Sequence, residues 1–336
     1  MTGRRSTIGD VANLAGVSIA TVSRVLNDGS ASEEAQKKVL DAAELLGYAT
    51  DSRSKDTTPS TSNRVGILLS HFTESYSTCL LDALIDNFSD LKYDVLICST
   101  VGHEGREAKY LRELTQNNVD ALVTMSLDQH KYLPGVDALR IPHVIITGDA
   151  GDSEMTSAVR TDDESGMTQA FEHLRSLGHE RIAHITGDLR QISARERRDT
   201  YLALMADAGL ADDELVVEGN YLRPSGRAGA EALLELDEPP TAIITGNDSQ
   251  LLGALELLEE RYIAIPRQIS VVGFDDIPEM AKYIPPITSV AQSLDEVGRL
   301  VAEEVHSRVS ERGPATTSTV PMNLMVRDST GPVPTA

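Results

Sequence analysis

The chain divides into three stretches by the spacing of its apolar residues. In residues 1–48 apolar side chains recur every three or four positions, which predicts short helices. Residues 49–64 are rich in Ser and Thr, contain Pro59 and carry no large apolar residue, which is typical of a linker. From residue 65 onward, short apolar runs alternate with helical stretches. This alternation predicts parallel sheets covered by helices on both faces.

The alternation occurs in two successive sets, so we expect two similar α/β lobes. The predicted strands are residues 65–69, 95–98, 121–125, 144–147, 182–186, 242–245 and 270–274. The predicted helices between them are residues 78–91, 104–117, 166–177, 194–208 and 250–261. Residues 331–336 contain two prolines at the chain end, and we expect this tail to be disordered.

The beginning of the chain has the layout of a helix-turn-helix. A first helix is predicted to begin after Thr7 and to run to Ala15, with Leu14 on its apolar face. Gly16 can adopt the positive φ of a tight turn, and Ser18 would cap a second helix. In a helix-turn-helix, the first residues of that second helix meet base edges in the major groove. An ordinary hairpin of two structural helices is the alternative.

The formal charge of −22 is unexpected for a protein that binds DNA. In residues 1–64, however, cations and anions balance. The eight cations are Arg4, Arg5, Arg24, Lys37, Lys38, Arg53, Lys55 and Arg64, and the eight anions are Asp10, Asp28, Glu33, Glu34, Asp41, Glu44, Asp51 and Asp56. The whole negative excess therefore lies in residues 65–336, which should repel a phosphate backbone. We expect DNA affinity to depend on specific contacts and on dimerisation.

Residues 7–27 and 31–48 resemble the headpiece of the lactose-repressor (LacI–GalR) family. Further stretches that resemble the family are residues 159–162, 166, 173–179, 193–197, 242–248, 270–276, 285–289 and 292. The resemblance implies an all-α headpiece and an α/β body of two flavodoxin-like lobes, as in periplasmic sugar-binding proteins. The implied parts are a headpiece (1–48), a hinge (49–64), a core (65–330) and a tail (331–336). Within the core, the N-lobe would comprise about 65–160 plus 292–320, and the C-lobe about 161–291 plus 321–330.

The same resemblance implies a transcriptional regulator that binds operator DNA as a homodimer, in some members paired into tetramers. A small effector would bind between the lobes, where the carboxyl ends of the strands converge, and would change operator affinity. A sugar or sugar derivative is the implied effector, and a purine or nucleoside is the alternative. Repression is the usual mode in the family, while activation and use of a corepressor stay open.

The resemblance also assigns residues to DNA binding. These are Thr7, Ser18, Ile19, Ala20, Thr21, Ser23, Arg24 and Asn27 in the headpiece, and Ser52, Arg53, Lys55 and Thr57 in the hinge. Arg24 could reach a guanine or a phosphate, and Ile19 could meet a thymine methyl. Thr57 stands where the family places a leucine that wedges into the minor groove and kinks the DNA. Thr50 likewise replaces a usual proline and Lys55 a usual arginine, so we expect a weaker hinge and a smaller kink.

For the effector cleft the resemblance assigns Phe72, Tyr76, Thr147, Gln191, Ser193, Arg197, Tyr221, Asn247, Asp275 and Gln292. Arg197 would donate and Asp275 accept hydrogen bonds, which suits vicinal hydroxyls, and Tyr221 would be an aromatic platform. Thr147 stands where many members carry an acidic residue, so we expect a different specificity. The alternatives are a surface helix position for Arg197, a turn for Asp275, and core packing for Tyr76 and Phe72.

Other classes of function find no support in the sequence. It has no GxxxxGK[ST], GxGxxG, HExxH or GxSxG motif, and its eight histidines lack metal-ligand spacing, so we expect neither an enzyme nor a cofactor or metal. A sugar-binding protein without DNA function would leave the headpiece unexplained. No apolar segment suits a signal peptide or membrane helix, and Cys79 and Cys98 lack CxxC spacing. We therefore expect a cytoplasmic protein with reduced thiols.

Overall fold

The computed structural model describes residues 7–26, 31–45, 62–70, 75–101, 103, 105–116, 118–125, 136 and 139–334. The chain separates into two compact units, Met1–Ser60 and Thr61–Ala336. The first unit contains the headpiece and most of the hinge segment, and we call the second unit the body. Each unit is described by itself. Among the described residues, no helix combines the length and apolar character that crossing a bilayer requires.

The described part of the headpiece contains helices α1 (Ile8–Ala15), α2 (Ile19–Leu26) and α3 (Glu33–Leu45). Thr7 begins α1 with a capping box, in which its hydroxyl accepts the Asp10 N–H and Asp10 Oδ2 accepts the Thr7 N–H at 2.8 Å. Gly16 ends the helix in the left-handed region, with φ of 66°. The predicted helix-turn-helix layout is confirmed.

One residue of α1 departs from the predicted pattern. Leu14 is 53% exposed, and Ala12 is buried with Val11 and Ala15 instead. At about 100° per residue, Val11, Ala15 and Ala12 span about 100° of the helix surface, and Leu14 lies about 60° outside the Val11 edge of this stripe. The assignment of Leu14 to the buried face was wrong because the helical period allows a wide apolar face, and packing against α2 and α3 decides which edge of that face is covered.

The body contains two six-stranded sheets, each with its own hydrophobic core. The first lobe along the chain, the N-lobe, has the strand order β11-β5-β4-β3-β1-β2, with all neighbours parallel. Its elements are β1 (Arg64–Leu69), α4 (Ser75–Asp90), β2 (Asp94–Ser99), α5 (Arg106–Gln116), β3 (Ala121–Met125), β4 (His143–Ile146), β5 (Thr156–Thr161), α10 (Leu294–His306), a π-helical turn (Ser307–Glu311) and β11 (Thr317–Val320).

The second lobe, the C-lobe, has the strand order β12-β10-β9-β8-β6-β7, and only the β10–β12 pair is antiparallel. Its elements are α6 (Asp163–Ser176), β6 (Ile182–Ile185), α7 (Ile192–Asp207), a 3-10 turn (Asp213–Leu215), β7 (Val216–Val217), α8 (Arg223–Leu234), β8 (Ala242–Thr245), α9 (Asp248–Glu260), β9 (Ser270–Asp275), a second 3-10 turn (Met280–Lys282), β10 (Thr288–Gln292) and β12 (Met322–Met325). Every residue of β8 and β9 is buried, as expected for parallel strands covered on both faces.

The predicted fold class is confirmed, and all seven predicted strands are present to within one residue at each end. The pattern missed β5, β7, β10, β11 and β12. β7 was missed because it has only two residues, and β11 was missed because Val320 is its one apolar residue. The prediction of a disordered tail was wrong for residues 331–334, since the Val333 N–H donates to the Leu177 carbonyl at 3.1 Å.

The chain passes between the two sheets at three places. Each passage is a single residue: Asp162 joins β5 to α6, Ser293 joins β10 to α10, and Pro321 joins β11 to β12. Such short connections keep the carboxyl end of β10 and the start of α6 close to the junction of the lobes. Several of the residues assigned to effector binding lie near this junction.

Candidate functional site

Arg197 is the centre of a buried polar cluster in the C-lobe. Its side chain is only 4% exposed, and its Nε donates to Asp163 Oδ1 at 2.6 Å. Its Nη1 donates to the Gly246 carbonyl, and its guanidinium carbon lies 3.8 Å from the centre of the Phe274 ring. Burial opposes the charge of Arg197, but Asp163, Tyr221 and Asp275 together raise its pKa. The surface alternative for Arg197 is therefore wrong.

The carboxylate that pairs with Arg197 was not anticipated. Asp163 is the first residue of α6, directly after the passage at Asp162, and its Oδ2 accepts the Thr161 hydroxyl at 3.0 Å. An Asp in the first turn of a helix is common for local reasons, so its sequence position carries no sign of this pairing. Arg197 and Asp275 are still near neighbours, but the ion pair of Arg197 is with Asp163.

Asp275 ends β9 and is reached from the N-lobe by a chain of hydrogen bonds. Tyr76, on α4, donates from its hydroxyl to Gln292 Oε1 at 3.2 Å, and Gln292 Nε2 donates to Asp275 Oδ1 at 2.6 Å. Burial, followed by the charge of Asp275, raises the pKa of Tyr76, so its hydroxyl stays a donor near neutral pH. Three of the assigned residues, one from the N-lobe and two from the C-lobe, thus lie in a single hydrogen-bonded chain.

Tyr221 lies beside Arg197 in a backbone conformation unusual for a side-chain-bearing residue, with φ of 67°. Its hydroxyl is 3.2 Å from Ser193 Oγ on α7, and burial raises its pKa to about 12. A Cβ on Gly187 would lie 2.0 Å from the Tyr221 ring, so this position requires glycine. Gly187 was not among the assigned residues, because a ring contact across 34 positions leaves no local signal.

The amino end of α9 supplies two more polar groups. Asn247 caps the helix through its side-chain oxygen, which accepts the Gln250 N–H at 2.9 Å. Asp248, which was not anticipated, is fully buried and accepts from Ser289 Oγ at 2.9 Å and from the Ile277 N–H at 2.8 Å. Burial and then the charge of Asp275 raise the pKa of Asp248 well above its usual value.

A cavity of about 290 Å³ opens between the lobes at this cluster. It is lined by Ser75, Tyr76, Leu222, Arg223, Pro224, Asn247, Ser249, Leu252, Asp275 and Ile277. Three assigned residues line it directly, namely Tyr76, Asn247 and Asp275. Gln292 donates a hydrogen bond to Asp275 of this lining, and Arg197 lies near Asp275. Thr147 and Gln191 are not part of the lining, and the Thr147 hydroxyl donates to the Ile146 carbonyl at 2.7 Å. Phe72 lies outside the described residues.

The residues assigned to DNA binding lie at the start and outer face of α2. Ser18 Oγ accepts the Thr21 N–H at 3.1 Å and lies 2.9 Å from the Thr21 hydroxyl, which begins the helix. Ile19 is 56% exposed, Ala20 and Arg24 are also exposed, and Ser23 is half-buried. Thr7 is occupied in capping α1. Asn27 and the hinge residues Ser52, Arg53, Lys55 and Thr57 lie outside the described residues.

Comparisons with known proteins place both units of the chain. Residues 7–51 match bacterial regulatory proteins of the lacI family, and residues 171–330 match a periplasmic binding protein-like domain. The chain is 31% identical over 312 residues to the HTH-type transcriptional repressor PurR of Vibrio atlanticus (strain LGP32), spanning 91% of this chain and 93% of that protein. The chain belongs to the LacI family. It is 32% identical to the HTH-type transcriptional regulator DegA of Bacillus subtilis (strain 168), spanning 98% of this chain and all of that protein.

Solved structures agree with this assignment of the LacI-family regulator. A complex of the transcriptional regulator CelR with cellobiose superposes with a TM-score of 0.74 at 29% identity and covers 97% of this chain and all of the other. A lac repressor dimer bound to operator and the anti-inducer ONPF superposes with a TM-score of 0.73 at 25% identity, covering 98% and 100%. The chain is a DNA-binding transcriptional regulator with an effector-binding domain, as the sequence predicted.

The relatives named above are transcriptional regulators rather than enzymes. Within the part of the chain that the structure describes, no three His, Cys, Asp or Glu side chains are grouped to hold a metal ion.

Proposed function

We propose that the effector is a sugar or sugar derivative bound in the cavity between the lobes. The observation that carries the proposal is the presence of Asp275, Asn247 and the Tyr76 hydroxyl on one small cavity lining. These groups offer acceptors and donors on one lining, which suits adjacent hydroxyl groups. The cellobiose complex of CelR, a regulator 29% identical to this chain, supports the same class.

Effector binding would act on the junction of the lobes through Gln292. A ligand hydroxyl that donates to Asp275 competes with the Gln292 amide, which now holds Asp275 Oδ1 at 2.6 Å. Gln292 directly precedes Ser293, one of the three passages between the lobes, and also accepts from Tyr76 of the N-lobe. A ligand that binds one lobe arrangement better than another shifts the population between them. We propose that this shift changes operator affinity, with repression as the mode.

A thermal-shift screen tests the effector class. D-Ribose, cellobiose, glucose 6-phosphate and hypoxanthine are added to the full chain and to the variants Asp275→Asn and Asp207→Asn. We expect a sugar to raise the Tm of the full chain and of Asp207→Asn, which alters an exposed carboxylate of α7 away from the cavity lining. The shift should be lost in Asp275→Asn. A shift with hypoxanthine alone would replace sugar by purine as the effector class.

For DNA, we propose that Ser18, Ile19, Ala20, Thr21, Ser23 and Arg24 read the operator from the major groove, with Thr7, Asn27 and the hinge residues beside them. The exposure of Ile19, Ala20 and Arg24 at the start and outer face of α2 supports this.

The probe is a palindromic site selected from randomised duplex DNA with the full chain. Arg24→Ala should weaken binding to it at least about tenfold, or 1.4 kcal/mol. Lys38→Ala removes the same charge from an exposed pair with Glu34 and should have a smaller effect; equal losses would indicate bulk charge.

We propose that the chain acts as a homodimer in the cytoplasm, where chromosomal DNA is accessible. We also propose that four residues form a weak hinge: Ser52, Arg53, Lys55 and Thr57. The dimeric lac repressor structure, 25% identical to this chain, supports the assembly. Two headpieces are also what a palindromic site requires. Light scattering on the full chain should give twice the mass of 36.3 kDa. A tetramer would give four times that mass, and a monomer would contradict the proposal.

A further inference from the structure

The carboxyl end of β9 has an unusual backbone. Asp275 has φ of 104° and Asp276 has φ of 57°, so two consecutive residues with side chains lie in the region that favours glycine. Such conformations persist only where surrounding contacts hold them, and they concentrate at ligand sites. Asp275 is the cavity residue that accepts the Gln292 amide. The contacts that hold this turn therefore determine where the Asp275 carboxylate lies.

One side chain pairs with the Asp276 carboxylate of this turn. Arg327 donates from Nη1 to Asp276 Oδ1 at 2.6 Å and from Nη2 to Asp276 Oδ2 at 2.8 Å. Its Nη1 also donates to the Ile287 carbonyl at 2.6 Å. The two side chains are only 19% and 13% exposed. A paired, two-point contact of this kind fixes orientation as well as distance.

Arg327 is also anchored at its own backbone, and it comes from a particular part of the chain. Its N–H donates to Thr288 Oγ1 at 2.9 Å, at the start of β10. It follows β12, the strand that enters the C-lobe directly after the passage at Pro321. The residue that holds the Asp275–Asp276 turn is therefore carried by a segment that leaves the N-lobe.

We propose that Arg327 is a positioning residue for effector recognition: through Asp276 it holds the Asp275 carboxylate at the cavity. This rests on the proposed function, in which Asp275 receives the effector. Among the described residues, the side-chain hydrogen bonds of Arg327 reach Asp276 and Ile287 rather than the cavity lining or the Gln292 amide, so its effect on the ligand is indirect. Arg327 also connects the segment after the Pro321 passage to Asp275, the carboxylate that would accept hydrogen bonds from the ligand.

The test compares the full chain with Arg327→Gln, Arg327→Lys and Arg227→Gln. Arg227 makes a similar two-point pair with Glu260 on the surface of the same lobe, at 2.9 and 2.6 Å, and serves as the matched control. Hydrogen exchange by mass spectrometry follows peptides covering residues 275–280, whose Ile277 N–H is bonded to Asp248, and peptides covering residues 270–274 of β9. Cellobiose binding is measured by calorimetry on the same four proteins.

In Arg327→Gln we expect exchange over residues 275–280 to quicken at least about tenfold, while residues 270–274 change less than about twofold. Cellobiose should bind about tenfold or more weakly, Arg327→Lys should lie between wild type and Arg327→Gln in both measurements, and Arg227→Gln should match wild type. Unchanged exchange over 275–280, equal acceleration throughout the C-lobe, or unchanged cellobiose affinity in Arg327→Gln would overturn the proposal. If no sugar of the thermal-shift screen binds wild type but the exchange pattern is as expected, Arg327 is shown to hold the Asp275–Asp276 turn and the sugar proposal fails.

Discussion

At the scale of single residues, the ion pair of Arg197 and Asp163 shows how the site depends on mutual neutralisation. Both side chains are almost completely removed from water, at 4% and 3% exposure. An isolated charge in such a place is very unfavourable, and only a well-placed partner with further hydrogen bonds makes it tolerable. The Gly246 carbonyl and the Phe274 ring provide those further contacts to Arg197. Each member of the pair is therefore needed to keep the other buried.

This pairing predicts a non-additive effect on stability. Arg197→Met or Asp163→Asn alone should lower the free energy of unfolding by about 3–5 kcal/mol, because each leaves a buried charge without its partner. The double variant should lose less than the sum of the two. Urea unfolding of the four proteins measures the cycle. Two small, additive losses would show that the pair is not buried in solution as it is here.

Two buried histidines predict a dependence of stability on pH. Burial lowers the pKa of His143 to about 3 and that of His184 to about 4, from 6.5. Below pH 6.5 these two histidines bind protons in the unfolded chain but stay neutral in the folded chain. The free energy of unfolding therefore decreases as the pH falls. At pH 5 the loss should be about 2 kcal/mol for each.

Urea unfolding between pH 7.5 and 5 measures this effect. His184→Gln should show a shallower decline than wild type, while His103→Gln, at an exposed position, serves as the control. The comparison between variants is needed because Asp248, whose pKa is raised by burial, contributes with the opposite sign. Equal slopes in wild type and His184→Gln would rule out the stated role of His184.

At the scale of secondary structure elements, the cavity depends on how closely α8 and α9 approach. A Cβ on Gly226 would lie 1.9 Å from the Gln250 carbonyl oxygen, and a Cβ on Gly253 would lie 2.0 Å from that of Arg223. In both cases the obstructing atom is backbone, so no side chain can move aside. The first residues of α8 and the residues around the start of α9 line the cavity. Gly226 and Gly253 thus determine how closely α8 and α9 approach each other at this side of the cavity.

Gly226→Ala should force α8 and α9 apart. We expect a loss of about 1–3 kcal/mol or more in the free energy of unfolding, together with a weaker response in the ligand screen. Ala228→Ser adds one atom at an exposed position of the same helix and should change stability by less than about 0.5 kcal/mol. Chemical denaturation of both variants provides the measurement, and a neutral Gly226→Ala would show that the helices have room to separate.

At the scale of the whole molecule, two features bear on regulation. The lobes contact each other beside the passages, through the ion pair of Arg160 on β5 with Glu196 on α7 and through the hydrogen bond of Tyr76 with Gln292. The charge is also divided unevenly, since the formal charge of −22 belongs to the residues after position 64. The DNA-binding end gains no attraction from the rest of the chain, so specific contacts must supply more of the affinity.

This distribution predicts a modest salt dependence of operator binding. We expect each headpiece to contact phosphate chiefly through Arg24, Lys37 and Lys38 of α2 and α3, with the weak hinge adding little, so a dimer would neutralise about six phosphates and give a slope of log K against log salt of about −5. Lys37→Gln should make the slope shallower by at most about 2. Fluorescence anisotropy at several salt concentrations measures it. A slope steeper than about −8 would mean that other cations, outside these three, contact phosphate.

Local patterns in the sequence determined the headpiece helices and seven of the twelve described strands. The 3.6-residue period, Gly16 and the caps at Thr7 and Ser18 are enough to define the headpiece helices, because a helix is built from neighbours along the chain. Alternating apolar runs likewise predicted the parallel sheets, since a strand covered on both faces must be apolar throughout.

Tertiary structure alone decided the partners within the site. Asp163 and Arg197 are 34 positions apart, and Asp276 and Arg327 are 51 apart. No local period links such pairs, because the folding of two sheets and three passages brings them together. Asp248, Gly187 and Arg327 were missed for the same reason. Neighbours along the chain therefore decide which helices and strands form. The packing of distant elements decides which charged side chains pair and where each of them lies.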